Sequence, residues 1–166
     1  MRKPLVFVLR SLTAGMLLTM STSAFAKDLG GRFGVGFNSS LGQGSALSAR
    51  YAVPTGDSPV NVVIEGIGGF TSIDGASTEI TAGGRLLVST VVEDNMNLYV
   101  GGGAGYVFGP EGETVRLQPL AAIDFFFFGL DNLGFTTAFG LNIDVGGDYG
   151  GVGTTSTAQA GVTYWF

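Results

Sequence analysis

Eight charged residues hold most of the chemistry open to this chain: Arg32, Arg50, Arg85 and Arg116 against Glu65, Glu79, Asp124 and Asp144. Paired carboxylates can serve as acid and base, and a guanidinium grips a carboxylate as a fork. Four positive and four negative charges cancel, so the simplest role for them is mutual neutralisation in an ion-pair network. Nucleophilic chemistry is poorly provided for. The chain has no His and no Cys, so Ser39, Ser40, Ser48 and Ser89 lack the usual base, and disulfides and thiolate metal sites are excluded. Glu65 and Glu79 could act as acid and base, but balancing the arginines explains them more simply. Gly101 to Gly109 is Gly-rich, yet no Lys followed by Ser or Thr appears and no helix follows, so a phosphate loop is not expected. No catalytic, cofactor-binding or metal-binding residue is expected.

What positions these groups is a sheet. From Leu29 to Phe166 apolar residues alternate with Gly, polar or charged ones, and Gly, Asn, Asp and Pro clusters punctuate the chain at hairpin intervals. The pattern predicts eight strands, over roughly 29–41, 46–54, 60–70, 78–92, 97–108, 114–128, 133–144 and 155–166. One parity collects Leu29, Phe33, Val35, Phe37 and Leu41, then Ile64, Phe70, Ile80, Leu86, Val100, Tyr106 and Phe108, and later Leu117, Ile123, Phe139, Val162 and Tyr164. The other collects all eight charges named above, with Asn38, Tyr99, Gln118, Asn142 and Gln159, and with Val63, Ile67, Leu87, Leu120 and Phe126 as filling. A charge on a lipid-facing strand costs about 2–4 kcal/mol at mid-membrane, so this segregation predicts an all-β, eight-stranded antiparallel up-and-down transmembrane β-barrel. A soluble carrier barrel would need the reverse parity.

Within that scheme Glu65 falls diagonally near Arg50 and Arg85, and Asp144 near Arg116. Gly101, Gly103 and Gly105 leave room for the long arginine side chains. Pro119 cannot donate to a ladder, which predicts a bulge or kink in the sixth strand. The run Phe125 to Phe128 breaks alternation. It would send Phe126 and Phe128 into the barrel base as a plug, or else mark a shifted register. Outward aromatics gather at both strand ends, as interfacial belts do.

The N-terminus carries Arg2 and Lys3, an apolar stretch from Leu5 to Met20 broken by Arg10, and the small-residue pattern Ala24, Phe25, Ala26. It reads as a signal peptide, residues 1–26, rather than an anchor helix, leaving 27–166 as one barrel domain. That domain keeps five basic residues against thirteen acids, a net charge of −8, so nucleic acid is not an expected partner.

The chain ends Gly161, Val162, Thr163, Tyr164, Trp165, Phe166. With this terminus, the leader and the amphipathic strands, it resembles the small outer-membrane β-barrels of the OmpA/OmpX type along the whole mature sequence. The resemblance implies that Gly161, Val162, Tyr164 and Phe166 form a signal read by the barrel-assembly machinery, and that both termini are periplasmic. Barrel enzymes of that membrane generally use a His, which this chain lacks. The expected function is therefore non-enzymatic, a structural role in the outer membrane with an occluded polar lumen. The expected partners are lipid and lipopolysaccharide, and the expected state a monomer. A narrow or gated pore is the alternative. Recognition through short surface loops, near 42–45, 71–77, 109–113 and 145–154, is another. Their acids could bridge lipopolysaccharide through divalent cations or simply keep the loops soluble.

Overall fold

Each stretch of alternation becomes a strand. The computed structural model describes residues 28–39, 44–56, 58, 60–71, 78–93, 95–109, 112–146 and 151–166. The expected leader, Leu41 and much of the four loops lie outside these residues. The strands are β1 (Phe33–Asn38), β2 (Ala46–Val53), β3 (Val62–Thr71), β4 (Glu79–Glu93), β5 (Met96–Gly109), β6 (Gly112–Phe126), β7 (Leu133–Gly146) and β8 (Gly151–Trp165). Each pairs antiparallel with the next, and β8 returns to β1 through Gly34↔Trp165 to Asn38↔Gly161, closing the barrel. The fold is thus an all-β, eight-stranded up-and-down barrel, as the periodicity predicts.

The registers fix its shape. Following directly paired residues from Phe37 around the sheet passes Leu47, Gly68, Ala82, Tyr106, Val115 and Val145 to reach Val152. Across the seam Phe37 faces Val162, ten residues further along β8. That stagger tilts the strands by about 40° to the barrel axis and leaves an interior wide enough only for side chains.

Several local expectations are corrected. β1 is shorter than 29–41: the chain turns under the barrel at Leu29–Arg32, with Leu29 O accepting from Arg32 N at 2.9 Å and Ala52 O from Gly31 N at 2.8 Å. Leu29 is consequently fully buried inside rather than outward. β8 begins at Gly151, four residues earlier than expected, and shortens the last loop. Glu113 lies within β6, exposed on the outward parity beside Phe108, rather than in a connection.

Pro119 causes no bulge. Leu117↔Ile143 and Leu120↔Gly140 keep one register on either side of it, because Gly140 lets β7 approach where a Cβ would lie 2.4 Å from Pro119 O. The register shift falls in β4 instead, between Ser89 and Val91. Phe126 points inward, but β6 ends there, and Phe128 is 88% exposed in the following turn. The broken alternation marks the end of a strand, which explains why only one of the two rings is buried.

Outward residues are apolar over most of the barrel. Rings contact one another at the terminus end, Phe125 with Phe127, Phe127 with Phe135, Tyr164 with Phe166 and Phe166 with Phe33. At the opposite end Tyr106 stacks on Phe108.

Candidate functional site

The lumen is layered, and its first layer is an apolar floor. Leu29, Ala52, Val63, Tyr99, Phe126 and Trp165, all at the terminus end of the barrel, are buried with Leu87, Leu120, Ala122 and Ala138 in one cluster. Trp165 is accommodated by two glycines. A Cβ on Gly34 would lie 3.1 Å from its ring, and one on Gly134 would lie 3.3 Å from its Nε1. Trp165 and Tyr99 were not legible as floor residues; inward parity beside the strand ends was the only signal.

Next comes an ionic layer. Strand pairing sets Arg50 directly opposite Glu65, and Glu65 directly opposite Arg85, closer than the diagonal placement expected from sequence. Directly opposed Cβ atoms are about 5 Å apart, so these side chains meet without leaving the sheet's normal geometry. Arg50 Nε donates to Glu65 Oε1 at 2.9 Å, and Arg85 Nη1 to Glu65 Oε2 at 3.4 Å. Asn38 Nδ2 adds a third donor at 3.2 Å. Across the lumen Arg50 Nη1 reaches Asp124 Oδ2 at 3.2 Å and Thr136 Oγ1 at 3.1 Å, while the Thr136 hydroxyl donates to Asp124. Arg85 Nη2 donates to Gln118 Oε1 at 2.6 Å and to Gln159 Oε1, and Gln118 Nε2 donates to Asn142 Oδ1 at 2.7 Å. Two arginines against two carboxylates make this layer neutral, which is the condition for burying charge without a large desolvation loss.

A separate pair lies higher. Arg116 faces Asp144 across β6 and β7, with Nε and Nη2 held to the two carboxylate oxygens at 2.6 and 2.9 Å. Its Asp144 side is partly open to solvent.

Arg32 and Glu79 stand outside both groups. Arg32 sits under the barrel, where Nε donates to Phe166 O at 3.4 Å and Nη2 to Trp165 O at 3.2 Å and to Asn132 Oδ1, tying the last residues of β8 to the β6–β7 turn. Glu79 is half-buried at the far rim, where β4 begins, and forms no ion pair among the described residues. Of the three inner glycines, Gly103 makes room for an arginine: a Cβ there would lie 2.7 Å from Arg85 Cγ. Gly101 instead permits close approach to the β4 backbone, 2.1 Å from Leu86 O. Of the C-terminal set, Val162, Tyr164 and Phe166 face outward, and Gly161 pairs with Asn38.

Chemically the arrangement neutralises and rigidifies. Both Glu65 oxygens are engaged by cationic donors, and Asp124 by Arg50 and Thr136, leaving neither disposed to take a proton from a substrate. Among the described residues no group of three or more acidic side chains could hold a metal. No family model matches the chain, and neither a curated protein nor a solved structure is significantly similar to it. The fold and the lumen therefore carry the functional reading.

Proposed function

We propose that this is a non-enzymatic outer-membrane β-barrel of the small OmpA/OmpX-type class, exported by a cleaved leader at 1–26, with a structural role in the envelope. The observation that carries it is inverted polarity: Phe70 is 74% exposed and Phe139 61% exposed, while Arg50 and Glu65 are 2% and 1% exposed. In water such a surface would be an aggregation liability, whereas in a bilayer it is the stable arrangement. Closure supports the same reading, since a closed ladder leaves backbone groups paired where no water can reach them. The outward rings at both ends match interfacial belts. Lipid and lipopolysaccharide are then the partners of the wall, the assembly machinery reads the terminal strand, and the protein acts as a monomer.

The floor argues for a structural wall over a pore, because Trp165, Phe126 and Leu29 seal the end at which the termini lie. The deciding experiment compares unheated with boiled samples of the refolded mature chain by gel mobility and circular dichroism. A β-rich, heat-modifiable species that requires detergent is expected. A monodisperse, detergent-free protein would refute the proposal.

A further inference from the structure

One connection at the terminus end differs from the others. Residues 54–61 between β2 and β3, and Asp94 and Asn95 between β4 and β5, include no aromatic side chain, whereas β6 runs into Phe127, Phe128, Gly129 and Leu130 before Asp131 and Asn132. Two short turns shape this link: Leu130 N donates to Phe127 O and Leu133 N to Leu130 O, both at 2.9 Å, with Gly129 at a φ of 82°. Because β6 ends at Phe126, Phe128 does not return to the lumen. It stands 88% exposed, between the half-exposed side chains of Phe127 and Leu130. Height decides what this apolar knob meets. Glu113 is exposed on the outward face of β6, and a carboxylate is tolerated on a lipid-facing strand only near the interface, so the hydrocarbon ends just below it, at Val115. Twelve residue steps at about 3.3 Å each, with about 40° of tilt, put Phe127 roughly 30 Å beneath Val115, the thickness of a hydrocarbon core. Phe128 and Leu130 follow Phe127 and therefore fall at headgroup level on the terminus side.

We propose that the β6–β7 turn is a foot that enters the headgroup layer of the leaflet at the terminus end, burying Phe128 and Leu130 at the boundary between heads and acyl chains, with a phospholipid surface as its partner. The inference rests on the membrane reading above and goes beyond the ring belts, since Phe128 belongs to no strand and to no ring pair of the wall. Continuity favours lipid as the occupant: Phe127 packs on Phe125 and Phe135, so the knob prolongs the lipid-facing wall. Size favours it too. The three side chains expose roughly 350 Å², less than half of the about 800 Å² that each partner gives to a stable protein interface. A lipid interface needs no such minimum area, because apolar side chains sink into it while polar neighbours stay wet. Asp131 and Asn132, both exposed, supply that wet side. With one apolar turn among the three at this end, the foot sets the depth of the rim at β6–β7 rather than evenly around the barrel.

The chain has no cysteine, so a fluorophore can be attached at one introduced thiol. Leu130→Cys keeps Phe128 and reports the foot, Ser58→Cys reports the β2–β3 connection at the same end, and Val100→Cys reports the outward wall. Each labelled variant is reconstituted in phosphatidylcholine vesicles containing a lipid with a nitroxide quencher on its head or on its acyl chain. The head-borne nitroxide should quench position 130 at least about threefold more than position 58, and the acyl-borne nitroxide should quench position 100 most. Adding Phe128→Asp to Leu130→Cys should lower quenching at 130 to the level of position 58 while the heat-modifiable fold is retained, because the ring lies outside the barrel. Equal quenching at 130 and 58 beside strong quenching at 100, or quenching at 130 that Phe128→Asp leaves unchanged, would overturn the foot and leave the membrane reading standing. Quenching at 130 that disappears as the protein is concentrated in the bilayer would assign the knob to a second copy and overturn the lipid partner. No quenching at 100 would overturn the membrane reading and the foot with it.

Discussion

Replacing Glu65 by Gln keeps the shape of the side chain and removes the charge that holds two buried arginines. Arg50 would retain Asp124 and Thr136, and Arg85 would retain Gln118 and Gln159, so neither becomes wholly unpaired. The layer would nevertheless carry one uncompensated positive charge, and the new amide would turn a donor toward a guanidinium. Breaking a buried pair costs about 3–5 kcal/mol, and the lower part of that range applies because partners remain. With a urea slope of about 2 kcal/mol/M, a loss near 3 kcal/mol moves the unfolding midpoint down by roughly 1.5 M. Trp165 is the only tryptophan and is fully buried in the floor, so its fluorescence in lipid or detergent reports unfolding directly. Arg85→Met combined with Glu65→Gln should cost less than the sum of the two single changes by at least about 1 kcal/mol, since the double change restores neutrality. A Glu65→Gln midpoint within experimental error of wild type, or strict additivity, would refute the ionic layer as a coupled unit.

Asp144→Asn should cost less, about 1 kcal/mol in the same assay, because its side chain is 27% exposed and water screens the pair. Gly103→Val should destabilise by about 1–3 kcal/mol, its side chain colliding with Arg85, whereas Gly68→Ala on the outward face meets nothing within 4 Å and should be neutral or stabilise by up to about 1 kcal/mol. A similar loss at both glycines would show that the contact with Arg85 does not set the cost at Gly103. Trp165→Ala should cost about 3–5 kcal/mol and, by opening the floor, raise single-channel conductance in planar bilayers; a closed bilayer record despite correct folding would mean that the other floor residues suffice to seal the lumen.

Much of this protein was readable from residue order because a strand's two faces are set by parity alone. Once Phe33, Val35 and Phe37 share a face, Gly34, Gly36 and Asn38 must share the other, and no tertiary contact is needed to say so. The hairpin punctuation similarly gave eight strands and neighbour pairing, and so brought Arg50, Glu65 and Arg85 onto adjacent strands. Parity says nothing about height. Whether Glu65 sits opposite or diagonal to Arg85 depends on a register that turns and bulges set, and the shift at Ser89/Val91 carries no sequence mark comparable to Pro119, across which the register does not shift. Arg32 and Glu79 share the inward parity of the network but lie beyond its ends, one under the floor and one at the rim. Leu29 left the wall because the chain before β1 folds beneath it. The floor likewise emerges only on closure: the ten-residue stagger that brings Val162 to Phe37 decides which inward residues share a level, and therefore which charges meet.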